Sequence, residues 1–155
     1  MNIGSITVII PVKERFNLLN LALDSINRQT LIPKEVIIID DASSEKIIIK
    51  KKYKFNYKLI RNKKNLGVSK SRNIGIKICK TKYIAFIDTD DLWFLKKLRL
   101  QYDLAEKKNL DFVYCNYNSK KYKKNQIENN NKIFERLINF WSNPNCSTMF
   151  FKTNS

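Results

Sequence analysis

Glycine is scarce in this chain, and the three that occur, Gly4, Gly67 and Gly75, cannot compose a G-x-G-x-x-G turn or a Walker loop. Dinucleotide binding of that kind is therefore excluded. Cysteine is scarce as well. Cys79, Cys115 and Cys146 are odd in number, far apart and without a C-x-x-C spacing, so neither a disulfide framework nor a zinc site is expected, and a reducing cytoplasm fits best. No apolar run approaches the ~20 residues a membrane helix needs, and Met1 to Ser5 carry no basic leader. The expectation is a soluble chain, at most peripheral at the inner membrane face. Acids are the minority charge: 14 Asp and Glu stand against 30 Lys and Arg, a formal net charge of +16.

That basic excess raises the question of nucleic acid, which is bound by clustered Lys and Arg that neutralise phosphates. Here the lysine runs, at Lys50 to Lys52, Lys63-Lys64, Lys96-Lys97 and Lys120-Lys121, are spread over several elements. The joint abundance of Lys, Asn and Ile is what an AT-rich coding sequence produces. No nucleic-acid partner is expected; a solvated basic surface is the ordinary outcome, with a weak attraction to anionic lipid head groups as the next. At 155 residues, 43% hydrophobic and 28% charged, the chain has globular composition and room for one domain.

Five of the few acids are gathered in two groups, Asp40-Asp41 and Asp88-Asp90-Asp91, each at the end of an apolar run. The run Ile6 to Ile10, closed by Pro11, reads as a strand buried on both faces. Asn17 to Gln29 carries Leu18, Leu19, Ala22, Leu23 and Ile26 at helical spacing. Pro33 breaks the chain, Glu35 to Ile39 forms the second strand, and Ser43-Ser44 are expected to cap a helix running to about Tyr53. Tyr57 to Ile60 is a third strand. A helix from Val68 to Cys79, a fourth strand from Tyr83 to Ile87, a long helix from Leu92 to Lys108 and a fifth strand from Phe112 to Cys115 follow. This alternation predicts an α/β fold, a doubly wound, mostly parallel sheet flanked by helices, Rossmann-like, with ligands at the carboxyl ends of the strands. Residues 116–132 read as a loop, Ile133 to Trp141 as a short helix and Ser147 to Phe151 as one more strand.

Both acid groups and Pro11 fall at those carboxyl ends. Asp88-Thr89-Asp90 places two carboxylates at alternate positions of a chain leaving a strand, and hard cations such as Mg²⁺ or Mn²⁺ take one or two carboxylates plus substrate phosphates. A D-x-D alone is a weak signal, since Asp90 or Asp91 could simply cap the helix expected at Leu92. Asp40 meets the same objection from the helix expected after Ser43. Asp41 is the better candidate for accepting a base N–H or a ribose hydroxyl. Arg72, near the start of the helix after Gly67, suits phosphate oxygens.

The ordered segments Ile6 to Val12 (ITVIIPV), Ser25-Ile26 with Gln29-Thr30, Val36 to Ser43 (VIIIDDAS), Asn65-Leu66-Gly67 with Ser71 to Ile76, and Tyr83 to Trp93 (YIAFIDTDDLW) resemble the motif series of family 2 glycosyltransferases of the GT-A fold. The resemblance covers roughly residues 5 to 115. It implies a donor-binding core over 1–115, the start of an acceptor half at 133–155, and truncation before that half ends. It also implies a nucleotide-diphosphate sugar donor, most often UDP-linked, a divalent metal (Mn²⁺ or Mg²⁺), and a glycan or lipid-linked acceptor in surface polysaccharide synthesis. Carried over by position, Pro11 and Val12 line the nucleoside pocket, Asp40 and Asp41 lie at the base, Arg72 lies near the phosphates, and Asp88, Asp90 and Asp91 meet ribose and metal. The family often has Tyr-Asn where this chain has Lys13-Glu14, which leaves Glu14 an uncertain ligand.

Inverting transfer needs a carboxylate base on the acceptor side. After Asp91 the chain offers only Asp103, Glu106, Asp111, Glu128 and Glu135, none in a matching motif. The base is therefore expected outside this chain, and a nucleotide-sugar-binding fragment without transfer is the alternative. A receiver-like domain would want an acid pair after the first strand and a lone Asp after the third. Here Pro11 follows the first strand, and the pairs follow the second and fourth.

Overall fold

The computed structural model describes residues 2–116 and 145–153. Its elements are β1 (Ile3–Val12), α1 (Phe16–Asn27), β2 (Ile32–Asp40), β3 (Asn56–Arg61), α2 (Val68–Ile78), β4 (Tyr83–Phe86), α3 (Lys97–Lys108), β5 (Phe112–Tyr114), a single 3₁₀ turn (Cys146–Thr148) and β6 (Met149–Lys152). They build one six-stranded sheet of order β3-β2-β1-β4-β6-β5. The first four strands of that order run parallel, while β6 is antiparallel to both β4 and β5. The expected sheet is thus present, with an antiparallel strand wedged between β4 and β5.

β1 lies at the centre because its residues are apolar on both faces. Ile6, Val8 and Ile10 join Leu19, Leu23 and Ile26 of α1 and Leu98 and Ala105 of α3 in one core, whereas Ile9, with Ile37 and Ile39 of β2, packs against Ile74 and Ile78 of α2. Each fully buried isoleucine contributes about 2 kcal/mol relative to exposure, which is why an alternating half-polar strand could not take this position. Gly75 lets α2 approach: a Cβ there would stand 2.6 Å from Ile9 Cγ2.

Four local expectations need correction. The helix expected from Ser43 to Tyr53 does not form. Ala42 turns the chain at φ 58°, and Ser43 N–H and Ser44 N–H donate to the side chains of Asp40 and Glu14 instead of opening a helix. Pro33 does not break the chain but lies in β2, opposite Gly4 and beside the register shift between Gly4 and Thr7, where a missing N–H is tolerated. β1 likewise continues through Pro11 to Val12. Finally, α3 starts at Lys97, not Leu92. Trp93 N–H donates to Ser25 Oγ, while Phe94 and Leu95 carbonyls accept from Gln29 Nε2 and Thr30 N–H, so this backbone is tied to the end of α1. The helix expected at 133–141 and nearly all of the 116–132 loop lie outside the described residues.

Candidate functional site

In the order β3-β2-β1-β4, chain direction across the sheet reverses between β1 and β4, which is where open α/β sheets bind ligands. Four loops meet at that carboxyl edge, and side chains link them in sequence around it. After β1, Glu14 takes a left-handed backbone (φ 57°), and its carboxylate accepts from Ser44 N–H at 2.6 Å and Ser44 Oγ at 2.8 Å. Glu14 N–H donates to Ser43 Oγ. The end of β1 is thereby fastened to the end of β2. These bonds, the Ser44 N–H foremost, hold the Glu14 carboxyl below the usual carboxylate range.

From β2 the link passes to the start of α2. Asp41 is buried; its Oδ1 accepts from Asn62 Nδ2 and Leu66 N–H, and its Oδ2 from Gly67 N–H, all at 2.8 Å. Burial pushes its pKa up, but the hydrogen bonds from Leu66, Asn62, Gly67 and Ser71 outweigh that and leave it below the ordinary value. Gly67 precedes α2 at φ 85°, a conformation that favours glycine. Asp40, also buried, accepts from Ser43 N–H and lies 3.6 Å from Arg61 Nε, so its carboxylate shapes the turn after β2.

α2 then reaches β4 through Arg72, whose Nη2 donates to Asp88 Oδ1. The two side chains are 15% and 30% exposed, and Arg72 Nε is buried without a partner among the described residues. The circuit closes from β4 back to β1: Arg15 Nη1 donates to Asp90 Oδ2 at 2.6 Å, between side chains 54% and 55% exposed. Asp91 N–H bonds the Asp88 carbonyl, and Asp91 Oδ2 accepts a long contact from Asn145 Nδ2 at 3.4 Å. Pro11 and Val12 stand buried at the last two positions of β1, beside Ile39 and Asp40.

The returning segment 145–149 supports this turn from below. Asp88 N–H donates to Ser147 Oγ, Trp93 Nε1 donates to the Ser147 carbonyl, and Gln101 Nε2 donates to the Thr148 carbonyl. Lys97 Nζ sits 4.1 Å from the centre of the Trp93 ring and donates to Gln101 Oε1; burial lowers its pKa to about 8. Ser147, Asn62 and Arg15 were not singled out from the sequence. Arg15 alone had a local signal, its place directly after the first strand.

Among the described residues no three acidic, histidine or cysteine side chains gather into a metal site. Of the three carboxylates expected at a metal, Asp88 and Asp90 each face a guanidinium and Asp91 faces Asn145. Such a set fits a hard cation that arrives with phosphate oxygens and keeps water ligands, not a resident ion in an all-protein cage. Of the later acids, Asp103 pairs with Arg99, Glu106 with Lys82 and Asp111 with Lys152, while Glu128 and Glu135 lie outside the described residues. No helix among the described residues is long and apolar enough to cross a membrane.

Comparison with known proteins agrees with this architecture. The Escherichia coli enzyme WfgD, named a UDP-Glc:alpha-D-GlcNAc-diphosphoundecaprenol beta-1,3-glucosyltransferase, is 29% identical over 136 residues, covering 86% of this chain and 50% of that protein. An uncharacterized glycosyltransferase of Rickettsia bellii is 41% identical over 116 residues, 74% of this chain and 17% of its own. The chain thus spans half or less of the relatives it matches. Among solved structures, the 1–349 portion of Staphylococcus aureus TarS in complex with UDP superposes with a TM-score of 0.68 at 24% identity, covering 81% of this chain and 38% of that one. The mannosyltransferase PcManGT of Pyrobaculum calidifontis, in complex with GDP-Man and Mn²⁺, gives 0.62 at 19% identity, over 74% and 36%. The family model for glycosyl transferase family 2 matches residues 7–154, and the chain belongs to that family.

Proposed function

We propose that this chain forms the donor-binding half of a glycosyltransferase that takes a sugar from a nucleotide-diphosphate sugar, UDP-linked, and passes it with inversion to a glycan or lipid-linked acceptor in bacterial-type surface polysaccharide synthesis. The observation that carries this reading is the closed circuit of side chains around the switch point, which gathers all five strand-end aspartates on one edge of the sheet. In it, Pro11, Val12 and the ionised Asp41 border the base. The chain's own donors, Asn62, Leu66 and Gly67, fix the Asp41 carboxylate in place at the edge of this pocket. Asp40 and Glu14 hold the two loops that flank this pocket.

Arg72 lies near the diphosphate, whose oxygens its guanidinium suits. Asp88 lies toward ribose and, with Asp90, would hold the divalent metal, Mn²⁺ or Mg²⁺, with Asp91 as a further oxygen ligand. When bound, the metal offsets the negative charge that grows on the departing diphosphate. Asp103 and Glu106 lie on α3 and Asp111 just before β5, all outside the circuit of side chains, and none of them is read as the base that deprotonates the acceptor. That observation favours a second reading for the isolated chain, donor binding without transfer.

Calorimetric titration with UDP and with GDP, each with and without Mn²⁺, tests the proposal. UDP is expected to bind in a metal-dependent way that Asp90→Ala abolishes. Tight DNA binding with no response to either nucleotide would overturn it.

A further inference from the structure

The Arg15–Asp90 pair spans the switch point itself, joining the loop after β1 to the turn after β4, 75 residues apart in sequence. Arg15 is not placed there by chance of a free surface chain. It is the N-cap residue of α1, its carbonyl accepts from Leu19 N–H at 2.9 Å, and the preceding Glu14 is pinned to Ser43 and Ser44 by three hydrogen bonds. The backbone that aims Arg15 is therefore fixed. Its guanidinium end is not, because both partners are about half exposed.

We infer that Arg15 is a resident counter-ion for Asp90 that a nucleoside diphosphate draws away, so that divalent metal enters with or after the nucleotide and not before it. While Arg15 lies 2.6 Å from Asp90 Oδ2, a cation approaching that oxygen meets a positive charge at contact distance, and both carboxylates face a guanidinium, Asp88 that of the buried Arg72 and Asp90 that of the exposed Arg15. A diphosphate changes the balance. Guanidinium forms its strongest pairs with phosphate, in bidentate geometry, and the pair it leaves is an exposed one worth no more than about 1 kcal/mol. Moving Arg15 to a phosphate oxygen needs only side-chain rotation, and it frees Asp90 at the moment the diphosphate supplies the remaining oxygen ligands. Metal and nucleotide binding are then thermodynamically coupled, each strengthening the other by the same factor.

This inference rests on the donor-binding reading above, and the test separates the two. Mn²⁺ binding to the 155-residue chain is measured by electron paramagnetic resonance of the free ion, without nucleotide and with UDP, for wild type, Arg15→Gln and Arg99→Gln. Arg99 pairs with Asp103 on α3, away from the acid turn, and controls for simple loss of one positive charge. The expected results are weak Mn²⁺ binding by wild type alone and at least tenfold tightening by UDP. Arg15→Gln should bind Mn²⁺ without nucleotide about three- to fivefold more tightly, the equivalent of one exposed ion pair, with a correspondingly smaller UDP effect. Arg99→Gln should match wild type. If Arg15→Gln binds Mn²⁺ as wild type does while UDP still tightens both, the counter-ion role is wrong and the donor site stands. If UDP and Mn²⁺ bind to neither protein in any combination, both readings fall.

Discussion

Two arginine–aspartate pairs bracket the Asp88 to Asp91 turn, and they differ in depth. Arg72–Asp88 is mostly buried, between α2 and β4; Arg15–Asp90 is half exposed, between the loop after β1 and the same turn. Depth decides what each pair can do. A buried pair is costly to break because the abandoned charge has no water to turn to, so Arg72–Asp88 fixes α2 against the turn. An exposed pair exchanges partners at little cost, so Arg15–Asp90 suits a residue that must let go. The floor beneath them shows the same logic in a third form: Lys97, buried with no ion pair among the described residues, leans on the Trp93 ring and Gln101 and carries a pKa lowered to about 8.

The largest effect is expected at the inner pair. Asp88→Ala leaves Arg72 buried without its partner and should destabilise the chain by about 3 kcal/mol in urea unfolding, with UDP binding lost as well. Next comes an indirect way to loosen the same pair. Gly75→Ala drives a Cβ to 2.6 Å from Ile9 Cγ2, so α2 must lift from the sheet and take Arg72 with it; the expected loss is about 2 kcal/mol, with Mn²⁺ binding at Asp90 less affected than UDP binding.

Acid sensitivity follows at Asp41. Its pKa is lowered in the folded chain, so its contribution is complete above the unfolded carboxylate value of about 3.9 and is lost as pH falls through the lower folded value. Urea midpoints of wild type should therefore fall more steeply below pH 4 than those of Asp41→Asn. The smallest change in stability is expected at the outer pair. Arg15→Gln should shift unfolding by no more than about 0.5 kcal/mol while altering metal affinity, and a loss as large as that of Asp88→Ala would erase the distinction between the pairs.

The parallel strands were legible because burial on both faces demands unbroken β-branched runs, and Ile6 to Ile10 and Val36 to Ile39 satisfy it without help from the rest of the chain. The acids at their ends were legible for the same reason. What failed was whatever depended on distant partners. Residues 43–53 have serines that look like helix caps, yet Glu14, far back in sequence, takes the Ser44 groups. The start of α3 is delayed by Ser25, Gln29 and Thr30 for the same kind of reason. β5 and β6 are three and four residues long, and nothing local announces that β6 inserts antiparallel beside Tyr83 to Ala85. At the site, Asp41, Arg72 and Asp88 could be named from position, but the loop-to-loop contacts of Arg15 and Ser147 exist only once the sheet order is known.

All of this depends on the strand-end acids sharing one cleft. The most direct test is paramagnetic broadening of assigned backbone amides by Mn²⁺ added with UDP, since the effect falls steeply with distance from the ion. The amides of Arg15, Gly67 and Asp88 to Asp91 should broaden together, with Ile48, which shares a cleft with Asn20, Asp24 and Tyr53, unaffected. Broadening confined to one of these groups, or spread over the lysine-rich surface without them, would contradict the account.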